Sequence, residues 1–325
     1  MKESLNVICR LCFTNEGEGL IFQRFIIMSF NIIKQVLLCP EFKMPKQIDD
    51  EETKNCPSVQ AHQTKIDFFQ QSTVEEICKC LISQYLLLSK DDLELWDSDP
   101  EQYGEFEFQK SMEYANQFHI IKINNRGTFI LILFFSLIIL VCEDGGDSWK
   151  YSYRPCCEAL FLTLFHEHRG VLAPMLVALV KQSSGPVSPQ DLRALLHKDA
   201  VYNAVGLAAF DLYDDIDFDQ WLVHGIEQEM AIKDSNYRIV RRRAAWLIGQ
   251  WSGVKLSPEL RPRLYEILVP LLNTGEDLVV SRAEFMCIPI PNPLLAFFQV
   301  YFCNYTIYFA ILGKASSSKS IKSSD

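Results

Sequence analysis

Between Ser235 and Leu256 the apolar residues Val240, Ala244, Leu247, Ile248 and Trp251 fall at offsets of 0, 4, 7, 8 and 11. That spacing is one stripe of an α-helix, not the alternation of a strand. A turn follows, and Leu260, Leu264, Ile267, Leu268, Leu271 and Leu272 repeat the helical spacing. The two stretches predict a helical hairpin, and further hairpins lie upstream. Cys157, Leu160, Phe161, Leu164 and Phe165 form one stripe; Leu172, Met175, Leu176 and Leu179 form the next; Val201, Ala204, Val205, Ala208 and Leu212 form a third.

Helix boundaries are marked by capping chemistry. Ser72 with Glu75 has the spacing of a capping box, in which side chain and backbone satisfy each other's free groups at a helix start, and Ser89 with Asp92 starts a short helix through Trp96. Ser188-Pro189-Gln190-Asp191 and Ser257-Pro258-Glu259 pair an N-cap residue with proline at the first helical position. Asp217 with Gln220 caps the helix that carries Trp221. Near the start, residues 20–38 are mostly apolar, among them Phe22, Phe25, Ile26, Phe30, Ile33 and Leu37, against the charges Arg24 and Lys34, a helix expected to be buried on most sides; Pro40 and Pro45 stop it, and 49–57 is a polar loop. Gly127–Cys142 is different: it has no charged residue and neither a helical nor an alternating period.

Helix faces begin near Cys157, Val201, Val240 and Val279, so hairpin-sized units recur at about the 40–47 residues of HEAT-type repeats. Leu268-Val-Pro-Leu-Leu-Asn-Thr-Gly-Glu-Asp-Leu-Val-Val280 resembles the HEAT signature, with a proline in the first helix, an aspartate in the turn and a valine opening the second helix. Ala173-Pro174-Met175-Leu176 echoes the proline step. The expected fold is all-α: a HEAT-repeat α-solenoid of stacked antiparallel helical hairpins.

Particular strings narrow this further. Gly17-Glu-Gly-Leu-Ile-Phe-Gln-Arg-Phe-Ile-Ile27, Leu93-Glu-Leu-Trp-Asp-Ser-Asp-Pro-Glu101, Gly145-Gly-Asp-Ser-Trp-Lys-Tyr-Ser-Tyr-Arg-Pro-Cys156, Lys198-Asp-Ala-Val-Tyr-Asn-Ala-Val-Gly-Leu-Ala-Ala209, Asp217-Phe-Asp-Gln-Trp221 and Arg241-Arg-Arg-Ala-Ala-Trp-Leu-Ile-Gly-Gln-Trp251 occur in order. Together they resemble the middle section of an importin-β-type (karyopherin) nuclear transport receptor. The resemblance implies a receptor that carries protein cargo into the nucleus, releases it on binding Ran-GTP and contacts phenylalanine–glycine repeats of the nuclear pore. It implies residence in cytoplasm and nucleus, with the nuclear envelope and pore in transit. The repeats that bear most of the Ran-binding surface in this family have no counterpart here. Residues 1–108 and 143–280 follow the family pattern as helical repeats. Residues 109–142 interrupt it as an apolar insertion, and 281–325 leave it as an apolar tail with a polar, disordered end. Both unmatched pieces look like translated intron, and the chain is expected to be a fragment from a truncated or mis-spliced transcript or gene model.

Charge and composition exclude more than they select. The 325 residues carry a formal net charge of −10, which opposes general nucleic-acid binding, a task that needs a basic face. With 49% hydrophobic and 22% charged residues the chain can bury a core. An odd count of 11 cysteines, without the apolar core of a signal peptide at the start, suits a reducing compartment. Cys9-Arg-Leu-Cys12 has the spacing of half a zinc site, but no second pair follows at a suitable distance and a structural zinc needs four ligands. No nucleophile–base set, phosphate loop or dinucleotide fingerprint is present, so neither an enzyme nor a cofactor site is expected.

Two charged runs remain as candidate protein-partner surfaces. Asp211, Asp214, Asp215, Asp217 and Asp219 crowd the link between two helices; they either meet a lysine-rich cargo or form a solvated loop with Asp217 as a cap. Arg241, Arg242 and Arg243 either contact an acidic partner or pair with carboxylates of a neighbouring repeat. Trp246 and Trp251 are expected in core or inter-repeat packing rather than as cargo hooks. The residues assigned to the partner surface are Asp214, Asp215, Asp219, Arg241 and Arg242. Two rival functions stand beside the transport reading. One is a membrane-anchored helical protein using 294–312, a stretch about long enough to span a bilayer. The other is a generic HEAT scaffold, since fold alone does not set function.

Overall fold

The computed structural model describes residues 1–17, 22–43, 57–100, 102–104, 152–252 and 254–273, and every regular element among them is helical. Helices α1 (Lys2–Phe13) and α2 (Gln23–Leu38) form unit I. After α3 (Pro57–Phe68), unit II pairs α4 (Gln71–Cys80), which runs on through a π-helical turn at Leu81–Tyr85, with α6 (Tyr153–Glu167). Between them lies α5 (Lys90–Ser98). Unit III pairs α7 (Arg169–Gln182) with α8 (Leu192–Leu207). Unit IV pairs α9, built of Phe218–Trp221, a π-helical turn Leu222–Ile226 and Glu227–Met230, with α10 (Arg238–Ser252). Helix α11 (Arg261–Leu268) follows on.

The units stack as a solenoid. The first helices α1, α4 and α7 pack in one layer, and the second helices α2, α6, α8 and α10 pack in sequence as the other. Three stripes expected in the second half are buried throughout: Val240, Ala244, Leu247, Ile248 and Trp251; Val201, Ala204, Val205, Ala208 and Leu212; and Cys157, Leu160, Phe161, Leu164 and Phe165; in the others Leu179 and Leu260 are half-buried. The core is continuous from Leu5 to Leu271 and so joins residues on both sides of 109–142. The join is polar as well as apolar. Arg154, at the start of α6, donates to the carbonyls of Leu86 and Leu87 at 3.1 and 2.8 Å and to Asp92 at 3.1 Å. In unit I, Phe13 stacks on Phe30 with centroids 5.4 Å apart, and Tyr85 of unit II meets Phe30 edge-on at 4.9 Å.

Some boundaries differ from expectation, for local reasons. Ser72 is inside α4, whose N-cap is Gln70; Glu75 instead takes hydrogen bonds from the Gln71 and Lys79 side chains one turn either side. Ser188 closes a short turn with Gln190, and Asp191 is the actual cap of α8, accepting from the Ala194 amide at 3.0 Å. Proline and serine there set the approach, while the carboxylate three residues on does the capping. Ser257 precedes a 3-10 turn and bonds to Asp219 rather than to its own helix. Ser89 and Asp92 form the full capping box, and Asp217 accepts the Gln220 amide, both as the spacing requires. Helix α3 lacks a clear apolar stripe and is held instead by Phe68 and by Lys65, whose ammonium reaches the Leu37 carbonyl at 2.6 Å. The apolar stretches 127–142 and 294–312, the tail 281–325 and the second half of the HEAT signature beyond Asn273 lie outside the described residues.

Candidate partner-binding faces

The acidic link between α8 and α9 is a run of turns pinned on one side. Ala208, Ala209, Leu212 and Ile216 are buried, and Phe210, Tyr213, Asp214 and Asp215 between them turn outward. Phe210 and Tyr213 are 47% and 45% exposed. Four of the five aspartates already have tasks. Arg169 donates to the Asp211 carbonyl at 2.7 Å and pairs with Asp215 at 2.6 Å, and His166 lies 3.7 Å from the Asp211 carboxylate. Asp217 caps α9, and Asp219 is half-buried and accepts both the amide and the hydroxyl of Ser257. Asp214 is exposed and has no ion-pair partner among the described residues. Lys255 borders the turn, 4.9 Å above the Tyr213 ring and donating to the Tyr213 carbonyl at 2.7 Å.

The arginine run is not a surface. Arg241, Arg242 and Arg243 are 3%, 3% and 5% exposed, so Arg241 and Arg242 do not present the partner face assigned to them, and the run takes the alternative of pairing within the stack. Arg241 donates to the carbonyls of Ile232 and Asp234 and so ties down the turn before its own helix. Arg243 holds Asp199 at 2.8 and 3.4 Å and Asn203 at 2.9 Å, and Asn203 in turn donates to Glu158 at 3.0 Å. The result is a polar ladder across α10, α8 and α6. Arg242 lies 3.6 Å from Asp199 and stacks over Trp96 at 5.1 Å. A buried arginine is tolerated only with this number of partners, because an unpaired charge in the core is strongly unfavourable. Trp251 stacks on Phe218 at 5.2 Å, and Trp246 lies so close to Gly206 that a Cβ there would sit 2.3 Å from the ring. Both tryptophans pack between helices, as expected.

A second, more apolar face lies at the other end. Met28 and Ile32 are 58% and 42% exposed, so α2 is not buried on most sides; among the described residues its outer face opens on a cleft of about 1040 Å³. The segment 87–95 and the start of α6 form the other walls. The exposed aromatics of the acidic turn and the open face of α2 were missed because apolar residues on a helical pattern read as core. Phe210 and Tyr213, out of phase with Ala208, Leu212 and Ile216, carried the available signal.

Nothing in these faces resembles a reaction centre. Among the described residues no group of three or more His, Cys, Asp or Glu side chains converges to hold a metal ion. Burial pushes the thiols of Cys9, Cys78 and Cys156 up to about 12, far from the range of a nucleophile or metal ligand. Cys9 and Cys12 are successive contacts of α1 with the core.

No family profile matches the chain. Over 280 residues, 86% of its length, it is 39% identical to Importin-11 of Mus musculus and equally to Importin-11 of Homo sapiens. The chain belongs to the importin-β family. The importin beta-like protein KAP120 of Saccharomyces cerevisiae is 24% identical over 269 residues. Among solved structures, Lph2, described as a bidirectional nuclear transport receptor of S. cerevisiae, superposes with a TM-score of 0.61 at 21% identity, covering 94% of this chain and 28% of Lph2. That superposition supports the solenoid. The chain spans about a quarter of the length of the curated relatives it matches. Of this family's helices, the described residues supply four stacked units and part of a fifth.

Proposed function

We propose that this importin-β-family chain forms part of the cargo-bearing body of a nuclear transport receptor, acting by protein–protein contacts without catalysis. The observation that carries the reading is the 39% identity to Importin-11 over 280 residues, together with a site that offers binding faces and no reaction centre. In this reading the receptor works in cytoplasm and nucleus, passes the pore by contacts with phenylalanine–glycine repeats, and answers to Ran-GTP through repeats outside this chain.

The face assigned to cargo is the turn between α8 and α9. Asp214 supplies negative charge and Phe210 an exposed ring, with Asp215, shared with Arg169, and Tyr213, capped on one face by Lys255, at the border, a combination suited to lysine- or arginine-rich segments. Asp219 is left out because Ser257 already occupies it. Residues 109–142 and 281–325 are proposed as sequence foreign to the family pattern, and abundant full-length transcripts containing both would remove that idea. No helix among the described residues is long and apolar enough to cross a membrane.

The test is fluorescence anisotropy of a labelled lysine-rich peptide with the full chain. Affinity should drop several-fold for Asp214→Lys at low salt and the difference should vanish at high salt. Equal affinity of wild type and variant at low salt would take the cargo face away from this turn. A second assay adds labelled chain to permeabilised cells: a nuclear-rim signal competed by excess phenylalanine–glycine peptide is expected, and absence of a rim would end the pore-contact claim for this chain.

A further inference from the structure

In a helical-repeat array each unit touches only the units beside it, and the array behaves as a one-dimensional stack. Helix α5 breaks that rule. It belongs to unit II by sequence, lying between α4 and α6, and Arg154 anchors its first turn through Asp92. Its other end reaches α10, in unit IV. The indole of Trp96 is 5% exposed and lies under two guanidinium groups, Arg238 and Arg242, each 5.1 Å from the ring. Tyr103 lies 5.7 Å from Trp96 and nearly parallel to it, and Arg242 also stands over its ring at 5.6 Å. Asp97 pairs with Arg238. Leu88, Trp96, Tyr103 and Ile239 form a small core of their own, separate from the main one, with Leu196 of unit III packed against it.

We propose that α5 is a strut that couples unit II directly to unit IV and sets the curvature of this part of the solenoid. A solenoid bends by small rotations between successive units, and those rotations add along the stack. A contact between units two apart must stretch or break when the two intervening interfaces rotate together. The strut therefore resists that mode specifically, and it leaves each nearest-neighbour interface unchanged. Its two halves respond to different conditions. The Asp97–Arg238 pair is partly open to solvent, at 59% and 34% exposure, so salt weakens it. The contact of Trp96 with Arg242, 5% and 3% exposed, is desolvated and keeps its strength. The arginine run thus has a structural division of labour: Arg243 ties α10 to its neighbour α8, and Arg242 ties it to the strut.

Hydrogen exchange on the full chain tests this. In the wild type, amides of α5 and of residues 239–243 in α10 should open together. Trp96→Ala should speed exchange at 239–243 by about tenfold while leaving α8 and the second half of α10 protected. Asp97→Arg, a change at an exposed position, should give a smaller acceleration of about threefold at the same amides, and adding Arg238→Asp should restore part of the protection, because the swap regains the ion pair while removing one of the two guanidinium groups over Trp96. If Trp96→Ala fails to fold, the charge-swap series decides alone. The strut is ruled out if α5 frays in Trp96→Ala, or Asp97→Arg loses its ion pair, with exchange at 239–243 unchanged. It is also ruled out if the charge swap restores nothing.

Discussion

The aspartates at 211–219 and the arginines at 241–243 are both dense runs of charge, and the fold uses them in opposite ways. The arginines are consecutive positions of one helix, so at 3.6 residues per turn they sweep roughly 200° around its axis. Helix α10 has α8 on one side and α5 on another, so no orientation leaves all three in water. Each must find partners inside, and each does: backbone carbonyls for Arg241, Trp96 and Asp199 for Arg242, Asp199 and Asn203 for Arg243. The aspartates occupy turns whose buried positions are Ala208, Ala209, Leu212 and Ile216, leaving the others free to point outward. Charge density alone says nothing about exposure; the element carrying it does.

The largest expected effect tests the buried side of that contrast. Arg243→Ala leaves Asp199, fully buried, with only the more distant Arg242 for compensation; urea unfolding should show a loss of about 3–5 kcal/mol. Gly206→Val pushes a branched side chain into the Trp246 ring, which itself lies under the Arg243 guanidinium at 4.9 Å. It should destabilise by about 1–3 kcal/mol, visible as a lowered denaturation midpoint.

The acidic turn should respond more weakly and unevenly. Asp217→Ala removes the cap of α9, about 1 kcal/mol, and amides at 219–221 should exchange faster. Asp214→Lys should change stability by less than about 0.5 kcal/mol while weakening the basic peptide. Stability losses of equal size at 214 and 243 would overturn the distinction between the two runs.

Most of the second half was legible from periodicity, because a helix that must bury one stripe repeats its apolar residues at 3 and 4. Ser89 and Asp217 were legible as caps since a cap needs only its own turn. Ser72 and Ser188 were not, because Gln70 and Asp191 compete for the same role and the winner depends on how the chain enters the helix. The acidic turn was recognisable as charge, but its aromatics and the occupation of Asp219 by Ser257, 38 residues away, were not.

The sequence by itself determined the helical class, the hairpin period and the family, since these rest on local spacing and on strings of residues that survive in order. Tertiary structure decided what each charge is for. Asp199, Asn203 and Glu158 become partners of Arg243 only when three second helices lie side by side, and Trp96 meets Arg238 and Arg242 from more than 140 positions away. Coulombic and stacking contacts depend on distance in space, and no pattern along the chain encodes which distant residues the stacking of units will bring within 4 or 5 Å.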